Sequence, residues 1–399
     1  MNETMTHPDT ALPMATQTSN PVAAAQELTQ LIEDNREVLA KGPDLPPSLA
    51  DALIQAGLTQ LWAPRALGGA ETDPLEFVRV IEALAKLDGA VAWCALISSV
   101  GSRFLGLIES EPLRRLMPAG KMHAFSGSGH PSGTITRDGD GWRIDGRWTM
   151  ASFCQYSTIT FLVCMEHEKG APRLGANGQP MVRTAFLPSA MVQVLGNWNS
   201  GGLRSSGSHD ITCTEVRVPD DYTATMDMPW KQPGPLSKLS IASAGAISII
   251  GIPLGIAAAS IDALVTLAQT KVPFFSSAPL REQEHVQLEV AWAKTRLLAA
   301  RAFAVEAVSA LWTAVSSGLP AIEEQALLRM ACCNAGDVGK EVVGRMYAAA
   351  GSTAVLEEAV FSAQLRDIHA ACQHINFATR MMIPPGRILL GLEPGAPML

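Results

Sequence analysis

The sequence has little charge and no concentration of basic residues. Charged residues make up 17% of its 399 residues, whereas 47% are hydrophobic. The formal net charge is -8, and no stripe of Lys and Arg is present, which argues against nucleic acid as a partner. A chain with so much apolar and so little charged composition is expected to bury further surface between subunits.

The short motifs of common metal, nucleotide and hydrolase sites are also missing. The eight histidines include no HExxH pair, and no Cys and His cluster has zinc-site spacing, so no metal centre is predicted. No GxSxG elbow is present. The glycine-rich run 126–133 has neither GxGxxG spacing nor the Gly-Lys-Ser/Thr of a P-loop, and we interpret it as a strand ending in a glycine turn. Without a nicotinamide-binding fingerprint, any reducing equivalents have to come from another protein.

The cysteines and the N-terminus indicate a cytoplasmic protein. The seven cysteines form no CxxC pair and are predicted to be reduced core residues. Residues 1–20 are polar, contain no Lys or Arg and lack an apolar core, so we interpret them as a disordered tail and not as a signal peptide.

One stretch is long enough to span a membrane. Between Lys238 and Asp262 no charged residue occurs. However, the stretch is rich in glycine, serine and alanine, which allow helices to pack closely. We therefore interpret it as part of a buried helical bundle, with no membrane partner.

The hydrophobic period divides the chain into a helical start, a strand-rich middle and a helical end. Short runs rich in Thr, Val, Ile and aromatic residues predict strands at 134–137, 142–145, 157–165, 182–187 and 211–218. Asp138-Gly139-Asp140-Gly141 is a hairpin turn signal. Because no helices intervene, an antiparallel barrel or sandwich is favoured. The predicted organisation is a tail at 1–20, a helical domain at 21–119, a β-barrel domain at 120–232 and a helical bundle at 233–399.

The C-terminal helices carry two further patterns. Small and apolar residues recur at heptad spacing from Val290 to Leu311, which predicts close helix packing. A helix predicted over 356–379 carries His369 and His374, which diverge by roughly 140° and so cannot both face one site. Arg366 and Asp367 are interpreted as a buried structural pair.

Four segments together resemble the two-component, group D flavin-dependent monooxygenases, which share the acyl-CoA dehydrogenase fold. The segments are Gly57-Leu58 with 64–69, 146–152, 202–208, and Arg366-Asp367 followed by Gln373-His374. The resemblance extends over nearly the whole chain after the tail. It implies a mainly α fold with an N-terminal helical domain, a central β-barrel, a C-terminal four-helix bundle and a homotetramer.

The resemblance also implies roles for individual residues. Ser152 resembles the serine that hydrogen-bonds flavin N5, and His374 resembles the histidine that orients or deprotonates an aromatic substrate. With an ordinary pKa near 6.5, His374 would suit proton transfer at neutral pH. Further cofactor-binding positions implied are Ser126, Ser128, Trp148, Ala151, Arg204, Lys271 from a neighbouring subunit, and Gly351 with Ser352.

Two departures from the family pattern bear on the substrate. The helix after Ala92-Trp93 lacks the substrate-contacting histidine of several relatives, and Phe153 stands where glycine is usual, adding a bulky wall near the flavin. Both changes favour a compact apolar aromatic substrate, with indole or a similar heteroarene as the hypothesis.

The function implied is that of an oxygenase component. A separate NAD(P)H-dependent reductase would supply reduced FMN or FAD, O2 would form a C4a-hydroperoxyflavin, and a small aromatic substrate would be hydroxylated. Two alternatives stay open: an acyl-CoA dehydrogenase, and a non-catalytic binder of flavin or aromatics. The dehydrogenase needs a positioned carboxylate base, and 374–380 contains none.

Overall fold

The structure is a computed structural model that describes residues 20–117 and 121–395. Most of the predicted tail, residues 1–19, lies outside the described residues. Helices precede the sheet in the described part, with the bounds α1 Pro21–Glu27, α2 Thr29–Asp34, α3 Arg36–Lys41, α4 Pro47–Gln55, α5 Pro74–Leu87, α6 Gly89–Arg103 and α7 Ser110–Leu116.

Carboxylates define where α5 and α6 begin. Asp73 accepts a hydrogen bond from the Leu75 amide at 2.9 Å and caps α5, with Pro74 in its first turn. Asp88 accepts from the Ala90 amide at 2.9 Å and the Val91 amide at 3.1 Å, which satisfies free N–H groups of α6. Helix α6, which lines the cavity described below, is therefore held at a defined starting point.

The middle of the chain forms one sheet of eight strands. Their bounds are β1 Phe125–Asp138, β2 Gly141–Ala151, β3 Ile159–Glu168, β4 Ala171–Pro172, β5 Val182–Pro188, β6 Gln193–Val194, β7 His209–Pro219 and β8 Thr223–Ala224. The strand order is β6-β7-β2-β1-β3-β5-β8, with β4 on β3. All five predicted strand segments fall on strands. The path does not close among the described residues, so the predicted barrel is not shown.

One strand pair corrects the expected antiparallel arrangement. Strands β1 and β2 form the hairpin predicted at 138–141, and β2 returns the chain to the start of β1. A short connection then begins β3 beside that start, with Phe125 opposite Ile159, so β1 and β3 run parallel. The glycine run 126–133 is also not a strand end, because β1 continues through it with a register shift between Ser128 and Gly133.

Helices follow the sheet, with the bounds α8 Ile241–Ile249, α9 Gly251–Ala268, α10 Glu284–Ser316, α11 Ile322–Ala350, α12 Val360–Ala371 and α13 Ile383–Leu389. Helices α9 to α12 pack against one another, and α9 also packs against α5. The predicted heptad stripe of α10 is buried from Ala293 to Leu311, with Val290 half-buried at its edge. All seven cysteines are free and buried, as predicted.

In the described part of the chain, three helical segments are long and apolar enough to cross a membrane: Gly89–Leu107, Ile241–Ala268 and Glu284–Ser316. Of the most apolar window, in Ile241–Ala268, 78% is buried inside the protein. Its contacts with α5 and α11 account for this composition.

Candidate active site

A cavity of about 980 Å³ lies between α6, the sheet, the loop before β7 and α12. Each of these elements contributes side chains that could meet a ligand. From α6 and the turn after it come Trp93, Ile97, Val100 and Phe104; from the sheet Ser128, Met150, Ser152 and Phe161; from the loop Trp198, Ser206 and Ser208; and from the C-terminal segment Arg366, His369, Gln373 and His374.

Ser152 is the centre of a hydrogen-bonded row in this cavity. Trp93 Nε1 donates to Ser152 Oγ at 3.0 Å. The hydroxyls of Ser152 and Ser208 are 2.7 Å apart, and those of Ser208 and Ser206 are also 2.7 Å apart. Because an indole N–H can only donate, Ser152 accepts from Trp93. When Ser208 also donates to Ser152, the Ser152 proton is free to point at a ligand.

The backbone around Ser152 is held in an unusual conformation. Met150 and Phe153 have φ of 58° and 62°, in the left-handed region that costs a non-glycine residue about 1 to 2 kcal/mol. Two bonds hold the segment: the Phe153 amide donates to Ser206 O at 2.9 Å, and Ser126 Oγ donates to Ser152 O at 2.8 Å. The serine is therefore fixed in position from both sides.

Phe153 does not form the cavity wall that its size suggested. Its φ of 62° explains why glycine would be unstrained at this position. The ring is buried in the helical core and lies 5.5 Å from the Tyr156 ring, and it is not among the residues around the cavity. The expectation of a bulky side chain at the cofactor is wrong here.

His374 lies after the end of α12 and not on it. Helix α12 ends at Ala371, and His374 caps a short 3-10 turn, where its Nδ1 accepts from the Asn376 amide at 3.3 Å. The imidazole also meets the Trp93 ring edge-on at 5.9 Å. His374 and Ser152 thus contact the same indole.

The protonation state of His374 differs from the expectation. Burial, with a smaller effect of the Arg329 charge, lowers its pKa to about 4. The ring is therefore neutral at pH 7. Since Nδ1 accepts from a backbone amide, the proton is on Nε2. His374 is a hydrogen-bond donor at neutral pH, and its pKa lies well below the ordinary value near 6.5.

His369 and His374 both line the cavity, contrary to the expectation that they cannot share a site. That expectation assumed one continuous helix over 356–379. Since α12 ends at Ala371, the chain turns before His374, and the angular spacing of an α-helix no longer applies.

The other predicted cofactor residues lie in different parts of the structure. Ser128 lines the cavity, whereas Ser126 lies behind Ser152 and braces it. Trp148 and Ala151 are fully buried in the sheet core, where Trp148 Nε1 donates to Val163 O at 2.7 Å. Arg204 lines a second cavity of about 420 Å³ and pairs with Glu357 at 3.0 Å.

Lys271 contacts the Gly351-Ser352 turn of the same chain. Lys271 Nζ donates to Ala350 O at 2.5 Å and to Thr353 Oγ1 at 2.7 Å, on both sides of the turn. None of the three is among the residues around the main cavity of this chain. Their assignment as cofactor residues from a neighbouring subunit stays a prediction.

Of the predicted structural pair Arg366 and Asp367, Asp367 ties α12 to a neighbouring segment, but Arg366 does not. Asp367 Oδ1 accepts from the Leu203 amide at 2.7 Å, which ties α12 to the loop beside the cavity. Burial, together with the negative charge of Asp88, raises the pKa of Asp367 to about 7. Arg366 lies at the cavity instead, and its Nη1 donates to Ser362 Oγ at 3.1 Å.

Gly202 allows the loop and α12 to approach each other closely. A Cβ at this position would lie 2.2 Å from Arg366 O. We expect Gly202→Ala to lower the free energy of unfolding by about 3 kcal/mol, as overpacking against backbone does. Urea denaturation measures this. Gly201→Ala is the matched control, since its Cβ would have no atom within 4 Å; an equal loss in both variants would contradict the explanation.

Sequence reasoning missed Trp93 and Arg366 as contributors to this site. Trp93 was noted only as a landmark for a missing histidine, and its contact with Ser152 joins residues 59 positions apart. Ser206 and Ser208 were within a segment that carried the resemblance, which was the available signal.

The side chains around the cavity fit a planar ring with polar edges. Hydroxyls of three serines lie on one part of the cavity, and apolar side chains of α6 and Phe161 lie on another. Among residues 20–117 and 121–395, no group of three or more His, Cys, Asp or Glu side chains could hold a metal ion.

Comparison with known proteins finds a family model that matches part of the chain and relatives that match most of it. Residues 247–379 match the acyl-CoA dehydrogenase C-terminal domain family. The chain is 27% identical over 350 residues to indole-3-acetate monooxygenase of Acinetobacter baumannii, covering 87% of each protein. It is 25% identical over 402 residues to HsaA of Mycobacterium tuberculosis, a flavin-dependent monooxygenase oxygenase subunit, covering 95% of this chain and 97% of HsaA.

Solved structures show the same fold. The HsaA crystal structure superposes with a TM-score of 0.86 at 22% identity, covering 96% of this chain and 100% of HsaA. XiaF from Streptomyces, in complex with FADH2 and glycerol, superposes with a TM-score of 0.79 at 20% identity, covering 96% of this chain and 99% of XiaF. The chain therefore has the acyl-CoA dehydrogenase fold, and its relatives over most of its length are monooxygenases, among them the oxygenase subunit of a flavin-dependent monooxygenase.

Proposed function

We propose that this protein uses reduced flavin and O2 to hydroxylate a small aromatic compound, with an indole-like ring favoured. One observation carries the proposal. The cavity combines the Ser152 hydroxyl and the neutral His374 imidazole with apolar walls, and no Asp or Glu is among the described residues that line it. A dehydrogenase that removes a proton next to a thioester would need such a carboxylate.

Each part of the cavity has a task in this reaction. Reduced flavin, when bound, supplies the electrons with which O2 is activated. Ser152 presents a hydroxyl to the ring edge of the cofactor, and Trp93 and Ser208 hold that hydroxyl in place. His374 Nε2–H can donate to an oxygen atom of the substrate or of O2. Ile97, Val100, Phe104 and Phe161 exclude water from the reacting groups.

The names of two relatives support the substrate class. One is an indole-3-acetate monooxygenase, and another is p-hydroxyphenylacetate 3-hydroxylase, oxygenase component, of Acinetobacter baumannii. Both act on aromatic compounds by their names. A separate NAD(P)H-dependent reductase would deliver the flavin, as FMN or FAD.

The proposed assembly is a homotetramer, in which the central sheet closes as a barrel and the C-terminal helices form a four-helix bundle. Exposed apolar side chains support association: Phe274 and Phe275 are 88% and 99% exposed beside Lys271, and Leu288 on α10 is 71% exposed. Light scattering should then give the mass of four chains of 42.3 kDa.

Seven buried free cysteines support a cytoplasmic location.

The test uses oxygen labelling. Purified protein is mixed with reduced FMN or FAD and indole, indole-3-acetate or phenol in buffer with ¹⁸O₂, and products are measured by mass spectrometry. One labelled oxygen atom in the product, absent when protein is omitted, is the expected result. Bleaching of oxidised flavin by an acyl-CoA, without labelled product, would establish a dehydrogenase instead. Flavin binding with neither reaction would leave a non-catalytic binder.

A further inference from the structure

Arg366 is the one Lys or Arg among the described residues that line the main cavity. It lies on α12, half-buried, one turn before His369, which shares the cavity. Because no Asp or Glu lines the described cavity, Arg366 is not neutralised from within it. This is unusual in a chain whose formal net charge is -8.

The guanidinium of Arg366 has unused hydrogen-bonding capacity. Its recorded bond is from Nη1 to Ser362 Oγ at 3.1 Å, and within the described chain it lies in no ion pair of 4.0 Å or less. An arginine carries five N–H donors, so most are available. Arg366 also borders the second cavity, which carboxylates line. Arg204 and Arg36 at that cavity each pair with a carboxylate, whereas Arg366 does not.

The neighbouring carboxyl groups do not form an ion pair with Arg366. Asp367, next in the chain, points its Oδ1 at the Leu203 amide, 2.7 Å away. Burial raises the pKa of Asp367 to about 7, so this carboxyl group is only partly ionised at neutral pH. His130 and His369, at the same cavity, add potential donors. An oxyanion in the cavity would therefore meet donors and no repelling carboxylate.

We propose that Arg366 binds the carboxylate of the substrate, which makes the substrate class aromatic carboxylic acids. This inference rests on the proposed function and changes its favoured substrate from a bare heteroarene to an acid. The apolar side chains of α6 and Phe161 hold the ring, and the guanidinium binds the carboxylate, for which its paired N–H groups have matching geometry. The phosphate of FMN is also an oxyanion that an arginine can bind, so the experiment distinguishes the substrate carboxylate from the FMN phosphate.

Binding measurements test the proposal without catalysis. Dissociation constants of indole-3-acetate, indole-3-acetamide and 3-methylindole are measured by calorimetry for the wild type, Arg366→Gln and Arg366→Lys. We expect Arg366→Gln to weaken acetate binding about 10- to 100-fold, the range of a charge-assisted hydrogen bond, and to leave both neutral ligands within about twofold. Arg366→Lys should keep part of the preference for the acid. Arg143→Gln, on β2 outside both cavities, removes one charge and should change none of the three values.

A second arm compares FMN with riboflavin, which lacks the phosphate. A loss of FMN binding alone in Arg366→Gln, with acetate binding unchanged, would overturn the substrate assignment and give the site to the cofactor. Equal binding of acid and amide by the wild type would also overturn it. If the acid binds through Arg366 but no labelled product forms in the ¹⁸O₂ assay, the site stands and the proposed oxygenase function fails. If product forms from neutral indoles and Arg366→Gln behaves as wild type, the oxygenase function stands and the proposed carboxylate site fails.

Discussion

Replacing His374 with alanine is expected to lower the rate of product formation about 100-fold or more, the range of positioned proton donors and acceptors. The reason is the Nε2–H, which the Asn376 amide fixes by bonding to Nδ1, and which the alanine variant lacks. Stopped-flow kinetics with reduced flavin, substrate and O2 measure the rate, and flavin titration shows whether the site is intact.

Glutamine is the informative control at position 374, because its amide can donate but cannot serve as a base. If His374 acts as a neutral donor, His374→Gln should recover part of the activity. The wild-type rate should also show no step near pH 6.5, since the pKa of His374 is about 4. If the wild-type rate changes near pH 6.5 and this change is absent in His374→Gln, His374 acts as a base and its assignment as a neutral donor is wrong.

The same residue makes stability depend on pH. The pKa of His374 is about 4 in the folded protein and near 6.5 when unfolded, so the unfolded state binds more protons between these values. The stability contributed by the neutral ring is present above pH 6.5 and is lost as pH falls toward 4. Asp367 acts in the opposite direction, because its pKa is raised to about 7. The difference in unfolding free energy between wild type and His374→Gln, measured from pH 4 to 7, isolates the histidine.

The second large effect is expected at Ser152 and its partner Trp93. Ser152→Ala should weaken flavin binding about 3- to 10-fold, as the loss of one hydrogen bond does, and should divert reducing equivalents from product to hydrogen peroxide. Trp93→Phe keeps a ring but removes the N–H that holds Ser152 Oγ. Because the tryptophan acts through the serine, the double variant should lose little more than Ser152→Ala alone.

Two comparisons make the Ser152 result specific. Trp198→Phe removes an indole N–H in the same cavity that donates to Arg204 O at 3.0 Å and not to Ser152, so its effect should add to that of Ser152→Ala. A 5-deazaflavin lacks the ring nitrogen as acceptor and should bind wild type and Ser152→Ala alike. Additive effects of Trp93→Phe and Ser152→Ala would contradict the positioning role of Trp93.

Local patterns predicted elements well where one physical signal dominated. The hairpin at 138–141 followed from turn residues, and the buried stripe of α10 followed from heptad spacing. The end of α12 was missed by eight residues, because 372–379 contains no proline or glycine to stop a helix. Tertiary contacts stop it instead: Cys372 donates through Sγ to Gly336 O of α11, and Asn376 accepts from Arg329.

The sequence by itself determined the order of helices and strands, the absence of metal and nucleotide motifs, and the choice of Ser152 and His374 as central residues, since these depend on short-range periodicity and on motif resemblance. Only the tertiary structure decided the parallel pairing of β1 and β3, the meeting of Ser152 and His374 at Trp93, the neutral state of His374 and the position of Arg366 in a cavity without carboxylates. These features depend on the burial of polar side chains and on contacts between residues far apart in the chain, which the identity of a single histidine or arginine does not reveal.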